Sequence, residues 1–205
     1  MANAIVLTEI EADLLAELFN IGVGRAADSL SRMVDQEVSL SVPSVEFRSV
    51  REMADYLGGD NIICSVSQQM TGEFDARSML LFPEKNSMEV VRLLMGDTLS
   101  DELVAEMQEE ALNEIGNIVL NACIGSIASS LDKQFDVGLP AFESDKPLKL
   151  LTSAVTSEDD GVLLIRINME LRESSIKGYL AFLLGPASQE SLRKSLQIML
   201  EKFST

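Results

Sequence analysis

Apolar residues recur at helical spacing over residues 8–33, with Leu14, Leu15, Leu18 and Ile21 forming the side expected to be buried. Thr8 and Glu11 make a capping-box pattern that would start this helix. Gly22 and Gly24 lie inside it; each costs roughly 1 kcal/mol against alanine, so a close approach is expected there. The period then changes to two. Val38, Leu40 and Val42 alternate up to Pro43, and the pattern resumes over 45–50. Residues 61–70 and 75–82 read as two further strands, with Gly72 at their turn. Pro83 and Glu84 open a helix that runs to about Met95 and ends at Gly96.

The second half repeats this order. Ser100 caps a long helix predicted over 101–131, with Leu112, Ile115, Ile118, Val119 and Ala122 on its buried side. Residues 135–139 read as a strand ending at Pro140, and 141–156 as a less regular stretch with one or two strands. Glu158, Asp159, Asp160 and Gly161 form a turn, strands follow over 162–171 and 176–184, and Gly185-Pro186 opens a last helix to about Phe203. The unit is helix, short strand, variable segment, two longer strands and helix, occurring twice (about 8–96 and 100–203). Tight turns between successive strands argue for antiparallel pairing. The expected fold is α+β: one mostly antiparallel sheet with pseudo-twofold symmetry and the two long helices on one face. The junction Gly96-Asp97-Thr98-Leu99 is short and unlike a linker, so residues 1–205 are expected to form a single domain.

A polar triplet also occurs twice. Asp13, Glu17 and Asn20 are followed by Pro43, and Glu110, Glu114 and Asn117 by Pro140, at identical spacings. On a helix, positions i, i+4 and i+7 fall within about 60° of one another, so each triplet is one narrow stripe of two carboxyls and a carboxamide. A solvated helix face explains a single stripe equally well. Two matched stripes, each with a matched proline, are harder to explain that way.

Composition narrows the chemistry. Net charge is −17, which repels phosphate backbones and anionic membranes, so nucleic acid and lipid surfaces are poor partners and a basic docking face is a good one. The chain has no histidine, which removes the commonest general base and metal ligand. Cys64 and Cys123 lie in apolar runs and read as small buried hydrophobes of a reduced compartment. No metal-ligand spacing is present, so no metal is expected on this chain. No run approaches the roughly 20 apolar residues of a membrane span, and the N-terminus lacks a signal-peptide pattern; the cytoplasm is the expected location. The scattered methionines Met33, Met70, Met79 and Met95 read as core filler.

A carboxamide does not titrate near neutrality, so it cannot act as a strong base, but it can hold and aim a water. A neighbouring glutamate can pair with a partner's lysine or arginine. The stripe therefore suits hydrolysis of a phosphoryl group that another protein holds with its own metal. A glycosidase-like carboxylate pair is disfavoured, because an exposed helix face gives no cleft. Asn20-Ile21-Gly22-Val23-Gly24-Arg25 lacks the lysine and hydroxyl of a phosphate-binding loop, and the acidic turn at 158–161 lacks the further ligands of a calcium loop. Arg25, one turn past the first stripe, would either help hold a partner or pair with Glu11, Asp28 or Ser29.

At these residues the chain resembles the CheC/CheX/FliY family of chemotaxis phosphatases. That family's motif is Asp or Ser, three residues, Glu, two residues, Asn, twenty-two residues, Pro; Asp13, Glu17, Asn20 and Pro43 match it in full. Glu114-Ile115-Gly116-Asn117-Ile118 resembles the family's core sequence, with Pro140 at the required distance. Two copies and no added domain look most like the CheC branch. The resemblance implies removal of phosphate from the phospho-aspartate of a CheY-type response regulator. It implies that Asn20 and Asn117 orient water, that Glu17 and Glu114 dock the regulator's lysine, and that Asp13 and Glu110 contact the partner. The Mg²⁺ would be the regulator's, with no cofactor on this chain. It also implies CheD as a partner, which leaves a non-catalytic adaptor binding CheD or a motor or receptor component as the alternative. Departures are Leu18-Phe19 where Ile-Gly is usual, Glu110 in place of Asp or Ser, and Val119 where the first copy has Gly22. Phe19 would either crowd the regulator's approach or pack beneath the helix.

Overall fold

The computed structural model describes residues 7–95, 100–153, 161–171 and 174–203. The first half comprises α1 (Glu9–Val34), β1 (Val38–Ser49), α2 (Val50–Tyr56), β2 (Ile63–Gly72), β3 (Ala76–Pro83) and α3 (Glu84–Met95). The second comprises α4 (Asp101–Leu131), β4 (Phe135–Val137), β5 (Ala141–Asp145), α5 (Pro147–Thr152), β6 (Gly161–Leu171), β7 (Ser174–Leu184) and α6 (Pro186–Phe203). The expected helix end at Gly96, the junction 96–99 and the acidic turn before Gly161 lie outside the described residues.

Local chemistry sets the helix ends. The Thr8–Glu11 capping box forms, with the Glu11 carboxylate accepting from Thr8 N–H at 2.8 Å. The Ser100 hydroxyl accepts from Leu103 N–H at 3.3 Å and starts α4. A short helix stands in the variable segment of each half, which the strand-like pattern over 45–50 and 141–156 obscures. The first, α2, begins on a second capping box, Ser49 with Glu52. The second, α5, begins on Pro147 at its first position. Alternation therefore stops at Ser49, and Val50 belongs to a helix.

The sheet is antiparallel, ordered β1-β6-β7-β3-β2-β4, with β5 also pairing with β2. The two halves exchange strands: β1 pairs with β6 of the second half, while β4 and β5 pair with β2 of the first. The equivalent strands β3 and β7 meet at the centre, where a pseudo-twofold passes between them.

Both faces of this sheet are covered. On one face α1 and α4 lie in contact, with Leu15, Leu18, Phe19, Val23, Leu112 and Ile115 buried over Val66, Leu80, Ile165 and Phe182. On the other, Val50 and Met53 of α2 and Leu150 and Leu151 of α5 cover Met79, Leu81, Leu164 and Leu183. That is why 162–165 and 180–184 are continuous apolar runs: alternate residues serve opposite faces. Ile21, expected on the buried side of α1, is exposed at 41%; Phe19 and Val23 fill the core there instead. Met70 and Met79 are core residues, but Met33 is exposed at 45% because it lies on the outer face of the last turn of α1.

Close helix contact has a visible cause. A Cβ on Gly22 would stand 2.8 Å from the Cys123 Cα, so only glycine lets α1 approach α4 at this crossing. Gly24 has open space around it. The buried Ser126 hydroxyl donates to the Leu18 carbonyl at 2.8 Å, tying the same two helices. Cys123 is fully buried in this interface, and burial pushes its thiol up to about 12. Cys64 is buried too, but it accepts hydrogen bonds from Ser87 (3.2 Å) and Gln108 (3.4 Å), linking β2 to α3 and α4. By length and composition α4 could cross a membrane; in this fold it is the helix packed on α1 and the sheet.

Candidate functional site

Each triplet occupies the outward side of its long helix. Asp13 and Glu17 on α1 are exposed, and Asn20 is half-buried; Glu110 and Glu114 on α4 are exposed, and Asn117 is half-buried. The carboxylates are thus available to a partner, while each asparagine reaches back toward the fold.

What each asparagine reaches differs. In the first copy, Pro43 lies in β1, where it cannot donate to the ladder. The β1–β6 register shifts between Ser41 and Ser44, a bulge that contains Val42 and Pro43. The Val42 N–H turns to α1 and donates to Asn20 Oδ1 at 3.0 Å. This explains the long-range spacing of the motif: proline breaks the ladder, and the residue before it holds the carboxamide. Val42 itself is buried.

In the second copy, Pro140 falls in the gap between β4 and β5, and the preceding residue, Leu139, is 90% exposed. Asn117 is held by side chains instead. Its Oδ1 accepts from Gln68 Nε2 at 3.2 Å and from Asn121 Nδ2 at 2.7 Å. Gln68 is buried on β2, and its Oε1 has no protein partner among the described residues. Asn113 Oδ1, one turn before Asn117, is likewise buried without one. An open depression of about 750 Å³ lies over this face, lined by Glu106, Glu110, Asn113, Glu114, Asn117 and Pro140, among others.

An asparagine oxygen has two acceptor positions. Among the described residues Asn20 uses one and keeps one, whereas Asn117 uses both. Among the described residues each also keeps an amide group for donation. Such a carboxamide beside an exposed glutamate can bind and aim a small polar molecule, and the glutamate can pair with a cation.

The departures from the motif have structural readings. Phe19 is fully buried and packs on Phe182, ring centroids 5.4 Å apart, so it does not crowd the outer face. The matching Gly116 lies against β2, where a Cβ would come 2.4 Å from Val66 Cγ1. Arg25 is exposed, and its carbonyl accepts from the Ser29 hydroxyl at 3.1 Å. Glu11 is committed to its cap and to Arg193 at 3.6 Å. Among the described residues no group of His, Cys, Asp and Glu could hold a metal. Sequence reasoning missed Gln68 and Asn121. Asn121 was within reach, since it follows Asn117 by one helical turn. Gln68 is brought in only by the fold.

A duplicated α+β fold carrying two exposed Glu–Asn stripes is therefore the class of protein these observations define. The model of the CheC-like family matches residues 10–46, the segment that holds Asp13, Glu17, Asn20 and Pro43. The chain is 24% identical over 143 residues to the CheY-P phosphatase CheC of Bacillus subtilis, covering 68% of each. It is 24% identical over 139 residues to the flagellar motor switch phosphatase FliY of the same organism, covering 67% of this chain and 36% of that one. In fold it is similar to Thermotoga maritima FliY, with a TM-score of 0.76, 20% identity and coverage of 95% of this chain and 100% of that one. It is also similar to the FliM middle domain of H. pylori, with a TM-score of 0.64, 10% identity and coverage of 92% and 99%. The resemblance to the CheC/CheX/FliY family is borne out.

Proposed function

We propose that this protein hydrolyses the phospho-aspartate of a CheY-type response regulator in the cytoplasm. The carrying observation is the pair of exposed Glu–Asn stripes, each with its asparagine anchored at the oxygen and its amide left to donate. Glu17 and Glu114 dock the regulator's lysine, and Asp13 and Glu110 extend that contact along the helix. Asn20 and Asn117 aim a water at phosphorus, opposite the aspartyl oxygen. The water's oxygen forms the new P–O bond while the acyl P–O bond breaks. Inorganic phosphate leaves, and the aspartate carboxylate is restored. The regulator's own Mg²⁺ would neutralise charge on the phosphoryl oxygens. The relatives named as CheY-P phosphatases support this reading.

The fold does not carry it, because the FliM middle domain has the same architecture. A fold shared in this way leaves room for a second reading, an adaptor that binds CheD or a motor or receptor component without turnover.

The test is phosphate release from Mg²⁺-loaded, acyl-phosphorylated regulator. The expected result is acceleration that falls in Asn20→Ala and Asn117→Ala and vanishes in the double variant, with helicity unchanged. No acceleration by folded protein would overturn the catalytic reading in favour of the adaptor.

A further inference from the structure

We infer that Asn121 competes with the attacking water for the Asn117 carboxamide and holds turnover at the second copy below that at the first. This rests on the proposed function. Gln68 and Asn121 both donate to Asn117 Oδ1, at 3.2 and 2.7 Å, which fills both acceptor positions of that oxygen. The amide group can hold a water only by donating to it; a water also oriented by donating to the carboxamide oxygen needs one of these positions. In the first copy the position matching Asn121 is Gly24, which carries no donor and faces open space. Among the described residues Asn20 is held by a single backbone N–H and keeps an acceptor position.

The two donors at Asn117 are not equivalent. Gln68 is buried, on a central stretch of β2 that also bonds Ser78 through its carbonyl at 3.2 Å. Withdrawing it would strand a buried amide. Asn121 is exposed on α4, and solvent can replace its bond at little net cost. Gln68 is thus a positioning residue that fixes the carboxamide plane, and Asn121 is the donor that must give way before each turnover.

The test uses the full chain in an Asn20→Ala background, so that turnover reports the second copy alone. Asn121→Ala and Asn121→Leu should each raise kcat on acyl-phosphorylated regulator about two- to tenfold, the equivalent of one net hydrogen bond, with KM unchanged. Gln68→Leu should move kcat the opposite way. A general loosening of α4 would not produce opposite signs from two donors on one oxygen. Independently, the Asn121 side-chain amide resonance should shift when Asn117 is changed to Ala. Unchanged or lowered kcat in both Asn121 variants, or an Asn121 amide indifferent to Asn117, overturns the inference. Absence of turnover in the wild type instead falls on the proposed function, and this inference falls with it.

Discussion

The two motif helices carry the same polar stripe but stand on the sheet in different ways. α1 holds itself off with an aromatic ring, Phe19 against Phe182, whereas α4 comes down on β2 through Gly116 against Val66. The sites differ in the same sense. Asn20 depends on a main-chain donor freed by a bulge, and Asn117 on two side chains. Only proline at Val42 would remove the backbone donor, and that donor leaves the carboxamide oxygen half engaged. Side-chain donors are adjustable and here fill both acceptor positions of the Asn117 oxygen. Duplication has thus kept the exposed chemistry while the support beneath it diverged.

That comparison can be broken most sharply by kinetics. Asn20→Ala should cost more of the total turnover than Asn117→Ala, and each should lower the rate of its own copy by about 100-fold, the scale of a lost positioning group. Phosphate release with each single variant checks this. The next largest effect is on stability: Phe19→Ala should destabilise by about 3–5 kcal/mol, since it empties a fully buried ring site under α1. Denaturant unfolding measures it. Gly22→Ala should cost about 1–3 kcal/mol, because its methyl group meets the Cys123 backbone, whereas Gly24→Ala should be neutral or slightly stabilising. A Gly22→Ala variant as stable as wild type would mean that α1 and α4 do not cross so closely.

The smallest effect concerns acid. The Ser49 N–H and hydroxyl donate to Glu52 and hold its carboxyl below the ordinary 4.5. A lowered folded value means that the capping contribution is whole above the unfolded value and is lost as pH falls through the folded one. Glu52→Gln should therefore be less stable than wild type at neutral pH, and the gap should close in acid. Thermal unfolding at several pH values follows it.

The long elements were legible in the sequence because long amphipathic periods and caps are local. Over 101–131 the expected and observed helix coincide. The short helices α2 and α5 were not, although Ser49–Glu52 is a capping box, because Val45 and Phe47 prolong a strand-like alternation up to it. Ile21 looked apolar and therefore buried, but the helix turns its Phe19 and Val23 inward instead. At the site, the triplets and the prolines could be read from spacing. Their supports could not, since Val42, Gln68 and the exposed Leu139 acquire their roles only from where a bulge, a strand and a gap fall in the folded sheet.

The exchange of strands between halves bears on how the chain can be made. Among the described residues β1 has one neighbour in the sheet, β6, and its register joins Val38 to Leu171. During synthesis the first half therefore emerges with an unpaired edge and no way to close it until most of the second has left the ribosome. Such non-local pairing slows folding and leaves a sticky intermediate. Neither half should fold when expressed alone, but the two expressed together should find each other and rebuild the sheet, since each supplies the strand the other lacks.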